Sequence, residues 1–484
     1  MEAQPFYLSG AWESSTEKRL VRNPYDGNIV GLVAYADRSV VLRAIQLADQ
    51  VRPIMQSLTS YVRSQVLSTV ADRIADHKDD LARLITLESG KPIKGSRVEV
   101  DRAVVTFKTA SEEAKRIEGE LLPMDVIPGQ PNHWGLVRRF PVGIVAGITP
   151  FNSPLNLVAH KIAPALASGN CVIIKPAPQA PLTALFLARL FDGCDLPPGV
   201  LSIIPCSNAD AEPLVTDDRI GMLSFTGSTV GWKLKEKAPH KVVTLELGGN
   251  AGIIVHEDAD LDLAVQRAVA GAFSSSGQRC ISVQRIYLHR PIAGRFCDRF
   301  IPAVSRLVIA DPLDPRTDIG PLITEDAAIR TLRWVEEAVA AGAELVCGGT
   351  RDGSIVAPTV LFNPPTFASV CREEVFAPVV ILREYDTFED AIDEVNDSHF
   401  GLQAGVFTRD MQRIFYSFEK LQVGGVMINE ASTYRMEHMP YGGMKLSGLG
   451  REGIRYAIET MTERKILVLN LDQAGSPVKQ DAVR

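Results

Sequence analysis

Cys280 is the cysteine whose surroundings suit covalent chemistry. It lies in the segment SSSGQRCIS, among small polar residues, with Arg279 directly beside it. A neighbouring cation favours a lowered thiol pKa and a nucleophilic thiolate. Cys171, in contrast, begins an apolar strand and is expected to pack in a core. A buried, inert thiol remains the alternative for Cys280 considered alone.

Glu246 and Asn152 are two further polar residues at the ends of predicted strands. Glu246 lies in TLELGGN, where an apolar strand breaks into two glycines, which would leave its carboxylate at a cavity edge. Asn152 lies in ITPFNSP, just past another strand. A strand-end glutamate is usually solvated and an asparagine before Ser-Pro usually forms a turn, so each signal is weak by itself.

Two segments are candidates for binding a nucleotide. The segment SFTGSTVG ends an apolar strand in a Gly-Ser-Thr turn, and Trp232–Lys237 is able to begin a helix after it. Gly227 would let a phosphate approach the backbone, although a plain capped turn fits the same spacing. Lys175 ends the strand CVIIK, at the edge where open α/β sheets bind ligands.

The literal G-x-G-x-x-G at Gly448–Gly453 has the wrong context for a dinucleotide fingerprint. Such a fingerprint follows an apolar strand, whereas these glycines follow the segment YGGMKLS. We interpret them as turn glycines.

These residues need a scaffold that places strand ends side by side, and the chain has the corresponding pattern. Helical periodicity at 60–87 and 95–117 is followed by apolar runs that alternate with helical stretches, and the alternation resumes after Gly252. The pattern predicts an α/β protein with parallel sheets and helices on both faces. Segment 119–139, rich in proline and glycine, is predicted to be an extended excursion.

Composition excludes several classes of function. The chain has 484 residues, 46% hydrophobic, with 51 Lys and Arg against 58 Asp and Glu and a net charge of −7. That balance argues against nucleic acid or an anionic membrane as a partner. The seven cysteines include no C-x-x-C pair, which disfavours a disulfide framework or a metal site. The N-terminal residues resemble no signal peptide, so we expect a cytoplasmic protein.

Seven segments together resemble the aldehyde dehydrogenase superfamily in their order and spacing: TPFNSP, IIKPAPQAP, FTGST, LELGGN, GQRCIS, EEVFAP and YGGMKLSG. The resemblance runs from NPYDG at 23–27 to ILVLN at 466–470, essentially the whole chain. It implies an α/β fold of two Rossmann-like parallel-sheet domains plus a small β oligomerisation element. It also implies an aldehyde-oxidising enzyme that uses NAD or NADP and forms a homodimer or homotetramer.

The resemblance also implies domain boundaries. A coenzyme-binding domain would comprise residues 1–119 and 140–246, and a catalytic domain residues 247–440. The oligomerisation element would comprise 120–139 and 462–484, and a segment at 441–461 would return to the coenzyme domain.

Four catalytic residues follow from the resemblance. Cys280 would attack the aldehyde carbon to form a thiohemiacetal and then a thioester. The amide of Asn152 and the backbone N–H of Cys280 would hold the oxyanion. Glu246 would activate water to hydrolyse the thioester, and Glu452 would assist proton movement.

The implied cofactor site contains one departure from the family pattern. In NAD-preferring members an acidic residue commonly stands three positions after the strand-end lysine, whereas this chain has Pro178. NADP is therefore chemically permitted, and the cofactor prediction is NAD or NADP. Lys175 and Glu374 would hold the riboses, Phe376 would lie near the nicotinamide ribose, and Gly227 and Ser228 would meet the pyrophosphate. The predicted cofactor residues are Thr149, Pro150, Phe151, Lys175, Pro178, Gly227, Ser228, Leu247, Glu374 and Phe376.

The substrate residues implied by motif position are mostly polar or cationic. Positions that are aromatic or apolar in members oxidising fatty or aromatic aldehydes carry asparagine, histidine and arginine here. The chain thus resembles the branch acting on lactaldehyde, succinate semialdehyde and phosphonoacetaldehyde, and we expect a small polar or anionic aldehyde. The alternative is that Arg279 and Arg435 point outward or pair with Glu437 and other acids. The predicted substrate residues are Arg102, Ser153, Asn156, His160, Arg279, Arg435 and His438.

Three other functions remain as alternatives. A CoA-acylating relative would use CoA instead of water, but such enzymes tend to lack the glutamate that Glu246 represents here. An aliphatic or aromatic aldehyde dehydrogenase of the same fold would differ only in substrate. A non-catalytic binding protein would be expected to lose one of the three central residues, all of which are present.

Overall fold

In the computed structural model, which describes residues 1–128 and 132–471, the chain builds two large sheets that are mainly parallel. The first sheet has eight strands, five of them forming a parallel centre with antiparallel neighbours at its sides. In spatial order its strands are Ala11–Glu13, Phe6–Leu8, Leu201–Ile203, Cys171–Lys175, Ile144–Ile148, Met222–Thr226, Val242–Glu246 and Gly448–Leu449.

The second sheet has seven strands, all from residues 251–428, and each large sheet is covered by its own apolar core. Its spatial order is Glu344–Cys347, Thr359–Phe362, Val379–Tyr385, Val283–His289, Ala251–Val255, Gln403–Phe407 and Gly425–Ile428. All neighbours are parallel except the first pair. The predicted α/β class with two parallel sheets is confirmed, and the boundaries proposed between the domains stay a prediction.

Helices cover both faces of the sheets, as the alternating pattern predicted. They span Arg38–Ser57, Ser60–Asp76, Lys78–Ser89, Ile93–Glu113, Asn156–Ala167, Leu182–Arg189, Pro213–Thr216, Val230–Glu236, Leu261–Phe273, Arg290–Ser305, Glu325–Ala340, Ser369–Arg372, Phe388–Asn396, Met411–Lys420 and Ile454–Thr460, with a 3₁₀ turn at Ser274–Gly277. Within the described ranges, no helix is both long and apolar enough to cross a bilayer.

The helix expected over 60–87 is two helices separated at His77. The backbone of His77 has φ −103° and ψ 24°, outside the helical region. Its ring packs edge-on against Phe186, with centroids 5.6 Å apart, and its Nδ1 lies 2.9 Å from the carbonyl oxygen of Arg73. The imidazole thus contacts a carbonyl of the last turn and ends the helix, which apolar periodicity alone does not reveal.

A small antiparallel sheet joins the proline-rich excursion to the C-terminal strand. Its strands are Thr462–Asn470, His133–Pro141 and Glu120–Pro123. Residues 129–131 and 472–484 of the predicted oligomerisation element lie outside the described part of the chain. Two-stranded pairs complete the fold: Lys18–Arg22 with Ile29–Ala34, Arg351–Asp352 with Ile355–Val356, and Phe400–Gly401 with Met444–Lys445.

Candidate active site

Two strand ends and one loop bring three polar side chains to a single cavity of about 370 Å³. Asn152 follows the strand Ile144–Ile148, and Glu246 ends a strand of the same parallel sheet. Cys280 comes from the loop after the 3₁₀ turn Ser274–Gly277. Because carboxyl ends of parallel strands meet at one edge, residues distant in sequence become neighbours there.

The turn before Cys280 has an unusual backbone. Ser275 and Ser276 have φ values of 52° and 54°, in the left-handed region that side chains rarely adopt. At Gly277, φ is 70°, and a Cβ atom would lie 2.1 Å from the carbonyl oxygen of Ala377. Glycine is therefore required at 277 for the turn to pass close to the neighbouring chain.

The thiol of Cys280 lies in a largely apolar environment. Its Sγ is 3.0 Å from the hydroxyl oxygen of Tyr441, and Ile281 and Leu402 pack around this pair. Burial raises the pKa of the thiol to about 11, against the lowering effects of the Tyr441 hydrogen bond and of Arg435. The thiol is therefore protonated at neutral pH in this arrangement, and a base must receive its proton.

The lowered thiol pKa expected from Arg279 is wrong. The guanidinium of Arg279 instead donates to Ser274 Oγ and to the carbonyl oxygen of Thr433, both at 3.2 Å. Within the described chain it has no carboxylate partner, and burial together with Arg102 lowers its pKa to about 10. Adjacency in sequence did not place its charge against the sulfur, because consecutive side chains leave the backbone in different directions.

Asn152 is oriented by the loop that carries the thiol. Its Nδ2 donates to the carbonyl oxygen of Gln278 at 3.0 Å. Gln278 is itself held, because its Oε1 accepts from Ile323 N at 2.9 Å and its Nε2 donates to Pro321 at 3.3 Å. An amide nitrogen carries two hydrogens, so Asn152 retains a second N–H for the cavity.

Glu246 is a buried carboxyl group with an open hydrogen-bonding capacity. Among the described residues neither of its carboxylate oxygens has a hydrogen-bond partner. Burial, followed by repulsion from Glu452, raises its pKa well above the ordinary value. Gly442 makes room for it, since a Cβ there would lie 2.8 Å from Glu246 Oε1. The raised pKa makes its ionised form a stronger base than an ordinary glutamate.

Glu452 has the opposite electrostatic environment. Its carboxylate lies 3.0 Å from Arg435 Nη2 and 3.5 Å from Lys161 Nζ. Burial opposes its ionisation, but Lys161 and Arg435 outweigh burial and lower its pKa. The ammonium of Lys161 is fully buried and also donates to Ser224 and Thr226, each at 2.9 Å. Two neighbouring carboxyl groups thus have pKa values displaced in opposite directions.

Aromatic rings and a carboxylate form the other wall of the cavity. Phe151 and Phe376 meet edge to face, with centroids 6.0 Å apart. Glu374 accepts a hydrogen bond from Gly249 N at 3.0 Å through Oε1, and burial raises the pKa of its carboxyl to about 7. Its second oxygen makes no hydrogen bond to the described residues and lies against Gly248, where a Cβ would be 2.4 Å away.

The predicted residues divide into those that line this cavity and those that do not. Besides the three central residues, the lining includes Pro150, Phe151, Gly227, Ser228, Leu247, Glu374, Phe376, Arg435 and Glu452. Outside it lie Thr149, Lys175, Pro178, Arg102, Ser153, Asn156, His160, Arg279 and His438.

Three predicted cofactor residues stand beside the cavity at the same sheet edge. Thr149 N donates to the carbonyl oxygen of Lys175 at 3.2 Å, and the Thr149 hydroxyl is buried with no partner among the described residues. Burial lowers the pKa of the Lys175 ammonium. Pro178 is exposed three residues further along the chain.

The predicted substrate residues form a network of ion pairs. Glu437 bridges Arg102 and His160, with 2.5 Å between the paired atoms in each case. Burial raises the pKa of the Glu437 carboxyl, but His160, Arg102 and Arg435 reverse the effect and lower it overall. The alternative of pairing with acids is thus realised for Arg435, through Glu452, but not for Arg279.

Unpartnered N–H groups remain in this network. Nη2 of Arg102 and Nε of Arg435 are buried without a hydrogen-bond partner among the described residues. Ser153 accepts from Lys91 at 3.2 Å and Asn156 accepts from Thr106 at 2.9 Å, so both have protein partners.

The predicted substrate role of His438 has no structural support, since its side chain is exposed. Its neighbour Glu437 is buried instead.

Sequence reasoning missed three residues of the site. Tyr441 is the first residue of the YGGMKLSG motif, and its place in that motif is the sequence feature that marks its hydroxyl as part of the site. Lys161 is the one lysine of the helix Asn156–Ala167, whose other residues are all buried. A lysine in such a largely apolar segment is the sequence feature that could have identified it. Arg330 lines the cavity from a surface helix, where nothing distinguished it from other solvated arginines.

Comparison with known proteins gives a consistent result. A family model described as "Aldehyde dehydrogenase family" matches residues 12–467. The chain is 44% identical over 467 residues to 3-sulfolactaldehyde dehydrogenase of Priestia aryabhattai, covering 96% of this chain and 98% of the relative.

Solved structures match the fold along its length. Aldehyde dehydrogenase 21 from Physcomitrella patens, in complex with the reaction product succinate, superposes with a TM-score of 0.96 at 40% identity, covering 98% of this chain and 99% of the other. Glyceraldehyde-3-phosphate dehydrogenase from Methanocaldococcus jannaschii, complexed with NADP, gives a TM-score of 0.91 at 37% identity, covering 94% and 100%.

Proposed function

The chain belongs to the aldehyde dehydrogenase family, and from that premise we propose that it oxidises a small anionic aldehyde through a covalent intermediate on Cys280. The observation that carries the proposal is the meeting of Cys280, Asn152 and Glu246 at one cavity. A nucleophilic sulfur, an amide donor and a buried carboxyl are the groups that oxidation through a thioester requires.

The first step is attack of the Cys280 sulfur on the aldehyde carbon. A C–S bond forms, the thiol proton passes to a base in the cavity, and the carbonyl π pair moves onto oxygen. The free N–H of Asn152 and the backbone N–H of Cys280 hold that oxyanion. Losing one such donor costs about 10²–10³ in rate.

The residues of the cavity fit NAD or NADP, the cofactor of this family. When bound, the cofactor supplies the acceptor for the hydride of the adduct, which becomes a thioester. Phe151 and Phe376 offer flat apolar walls for a ring, and the open oxygen of Glu374 suits a ribose hydroxyl. Gly227 and Ser228 line the side where phosphates would lie, and Lys175 and the orphaned Thr149 hydroxyl stand at the adjoining sheet edge.

Glu246 completes the reaction by activating water against the thioester. The water oxygen bonds to the acyl carbon, the C–S bond breaks, and the thiolate of Cys280 returns. The sum is RCHO + NAD(P)⁺ + H₂O → RCOO⁻ + NAD(P)H + 2H⁺. Glu452 lies beside Glu246 and is paired with Lys161 and Arg435, so its charge favours the protonated form of Glu246 as water is activated.

The arginine cluster (Arg102, Arg279 and Arg435) supports an anionic substrate. Arg279 has no carboxylate partner among the described residues, and the other two have orphaned N–H groups. Arg435 lines the cavity, and its free N–H group suits a carboxylate, sulfonate or phosphoryl tail, with the charges of Arg102 and Arg279 behind it. The Priestia relative is named for 3-sulfolactaldehyde and the Physcomitrella structure holds succinate, and both compounds are anionic.

The proposal is tested by kcat/KM for a panel of aldehydes, followed at 340 nm with NAD and with NADP. The panel is 3-sulfolactaldehyde, succinate semialdehyde, phosphonoacetaldehyde, glyceraldehyde 3-phosphate, lactaldehyde and benzaldehyde. Anionic members should exceed neutral lactaldehyde by about tenfold or more, as one charge-assisted hydrogen bond provides. A clear preference for benzaldehyde contradicts the anionic substrate.

Two controls test the reaction type. Cys280→Ala should abolish dehydrogenase activity while cofactor binding survives, and retained turnover contradicts the nucleophile. Steady-state NAD(P)H formation that requires CoA contradicts hydrolysis by water.

We also propose that the chain is a cytoplasmic homodimer or homotetramer. The small antiparallel sheet exposes apolar side chains, among them Trp134 at 54% and Leu467 at 53%. Such a contiguous face favours contact with another copy. All seven cysteines are free thiols, which suits a reducing compartment. Light scattering after size exclusion measures the mass, and a monomer at micromolar concentration contradicts the assembly.

A further inference from the structure

The hydroxyl group of Tyr441 is held against the sulfur of Cys280. The ring is 2% exposed, and its oxygen lies 3.0 Å from Sγ. The backbone of Tyr441 is fixed by an isolated antiparallel bridge to Glu452, with N–O distances of 3.0 and 2.6 Å. The main-chain hydrogen bonds to Glu452 therefore fix the backbone from which the phenol reaches the thiol.

The phenol is the group that keeps its proton. Burial, followed by the neighbouring Cys280, raises the pKa of Tyr441 well above its ordinary value. The guanidinium of Arg435 lies 3.7 Å from the ring centroid, and its charge opposes the rise in pKa without reversing it. Once Cys280 ionises, the proton between the two atoms belongs to the phenol, and the sulfur can only accept.

Among the described residues, no other side chain donates a hydrogen bond to the sulfur. Arg279 directs its guanidinium to Ser274 and Thr433, and Arg435 directs Nη2 to Glu452. Within residues 1–128 and 132–471, the Cys280 sulfur makes one hydrogen bond, and its partner is the hydroxyl group of Tyr441. A thiolate in this apolar environment without that donor would be strongly disfavoured.

We propose that Tyr441 is a further catalytic residue, whose hydroxyl donates a hydrogen bond to the Cys280 thiolate as it attacks the aldehyde and again as it leaves the thioester. The inference rests on the proposed role of Cys280 as nucleophile. The thiol proton leaves through water in the cavity, and the phenol keeps its own proton throughout. Tyr441 lowers the pKa of the thiol in the ground state and stabilises the leaving thiolate in the final step.

The test is the pH dependence of Cys280 alkylation by iodoacetamide, measured without aldehyde or cofactor. Labelling of Cys280→Ser protein is subtracted, since six other cysteines are present. In Tyr441→Phe, which removes only the hydroxyl, the midpoint should rise by about one to two pH units, as expected for a hydrogen bond to a charged group. At pH 7.5, as at any pH below the midpoint, alkylation should be about 10–100-fold slower.

Tyr385→Phe is the matched control, because it removes another buried phenol that bonds His256 and Val255 instead of the thiol. Its alkylation profile should match the native profile. An alkylation rate of Tyr441→Phe at pH 7.5 equal to the native rate overturns the inference, since phenylalanine removes only the hydroxyl group and leaves access to the thiol unchanged. Because no substrate is present, this readout is independent of whether the enzyme oxidises an anionic aldehyde.

Discussion

Replacing Glu246 with glutamine is expected to separate the two halves of the reaction. The substitution keeps the shape of the side chain and removes its ability to accept a proton. Thioester formation then continues while hydrolysis slows, because the neighbouring carboxylate of Glu452, whose pKa is lowered by Lys161 and Arg435, is a weaker base. A positioned general base contributes about 10²–10⁴-fold in rate.

Stopped-flow absorbance at 340 nm measures both halves in one experiment. Glu246→Gln should release about one equivalent of NAD(P)H per site in a burst and then turn over about 10²–10⁴-fold more slowly than native protein. The Cys280→Ala variant is the control and should show no burst. Native steady-state turnover by Glu246→Gln would refute the reasoning, and so would a variant without a burst.

The same variant tests the electrostatics of Glu246 through stability. Burial and Glu452 raise the folded pKa of this carboxyl above its ordinary value of 4.5, so the folded chain retains a proton that the unfolded chain releases. The carboxyl therefore favours folding fully below pH 4.5, and its contribution declines by about 1.4 kcal/mol per pH unit as the pH rises toward the folded pKa. Glutamine does not titrate, so the stability of the variant relative to native protein should increase by the same amount per pH unit.

Melting curves of Glu246→Gln and native protein between pH 5 and 7 measure this slope. The change in melting midpoint caused by burying an amide is the same at every pH, so it leaves the measured slope unchanged. Parallel dependence of the two melting midpoints on pH would show that the carboxyl titrates normally and would refute the assigned environment.

Three further predictions follow from individual contacts. Pro178→Asp places a carboxylate where a 2′-phosphate would lie, so kcat/KM with NADP should fall about tenfold or more relative to NAD, and an unchanged ratio contradicts the placement of the adenosine ribose. Glu437→Gln leaves the Arg102 guanidinium without its counter-charge, so stability at pH 7.5 should fall by about 3 kcal/mol, as for a broken buried pair, and the melting midpoint with it. Since the folded pKa of Glu437 is lowered, that difference should shrink as the pH falls through the folded pKa, and a difference independent of pH contradicts the ion pair. Leu467→Asp charges the exposed small sheet and should reduce the assembled mass in light scattering, whereas an unchanged oligomer places the interface elsewhere.

Local sequence was sufficient where a short-range pattern determines structure. The strands at 144–148, 171–175 and 222–226 lie where the apolar runs placed them, and the confirmed α/β class follows from their alternation with helices. The break at His77 was not predictable, because a ring contact with Phe186 ends a helix whose apolar periodicity continues.

At the site, position along the chain predicted which residues meet but not how they are charged. Asn152, Glu246 and Cys280 line one cavity, while their catalytic roles stay predictions. The expectation for Arg279 failed because its side chain turns toward Ser274 and Thr433, a direction that depends on the fold around it.

The sequence by itself determined the family, the α/β class and the residues that assemble at the sheet edge, since all of these follow from motifs and periodicities within short segments. Only the tertiary structure decided the protonation of the site: a thiol whose pKa is raised, a carboxyl at Glu246 that favours its proton, and an ionised Glu452 nearby. The reason is that pKa shifts arise from burial and from charges brought together across hundreds of residues. Neither can be read from the neighbours of a residue along the chain.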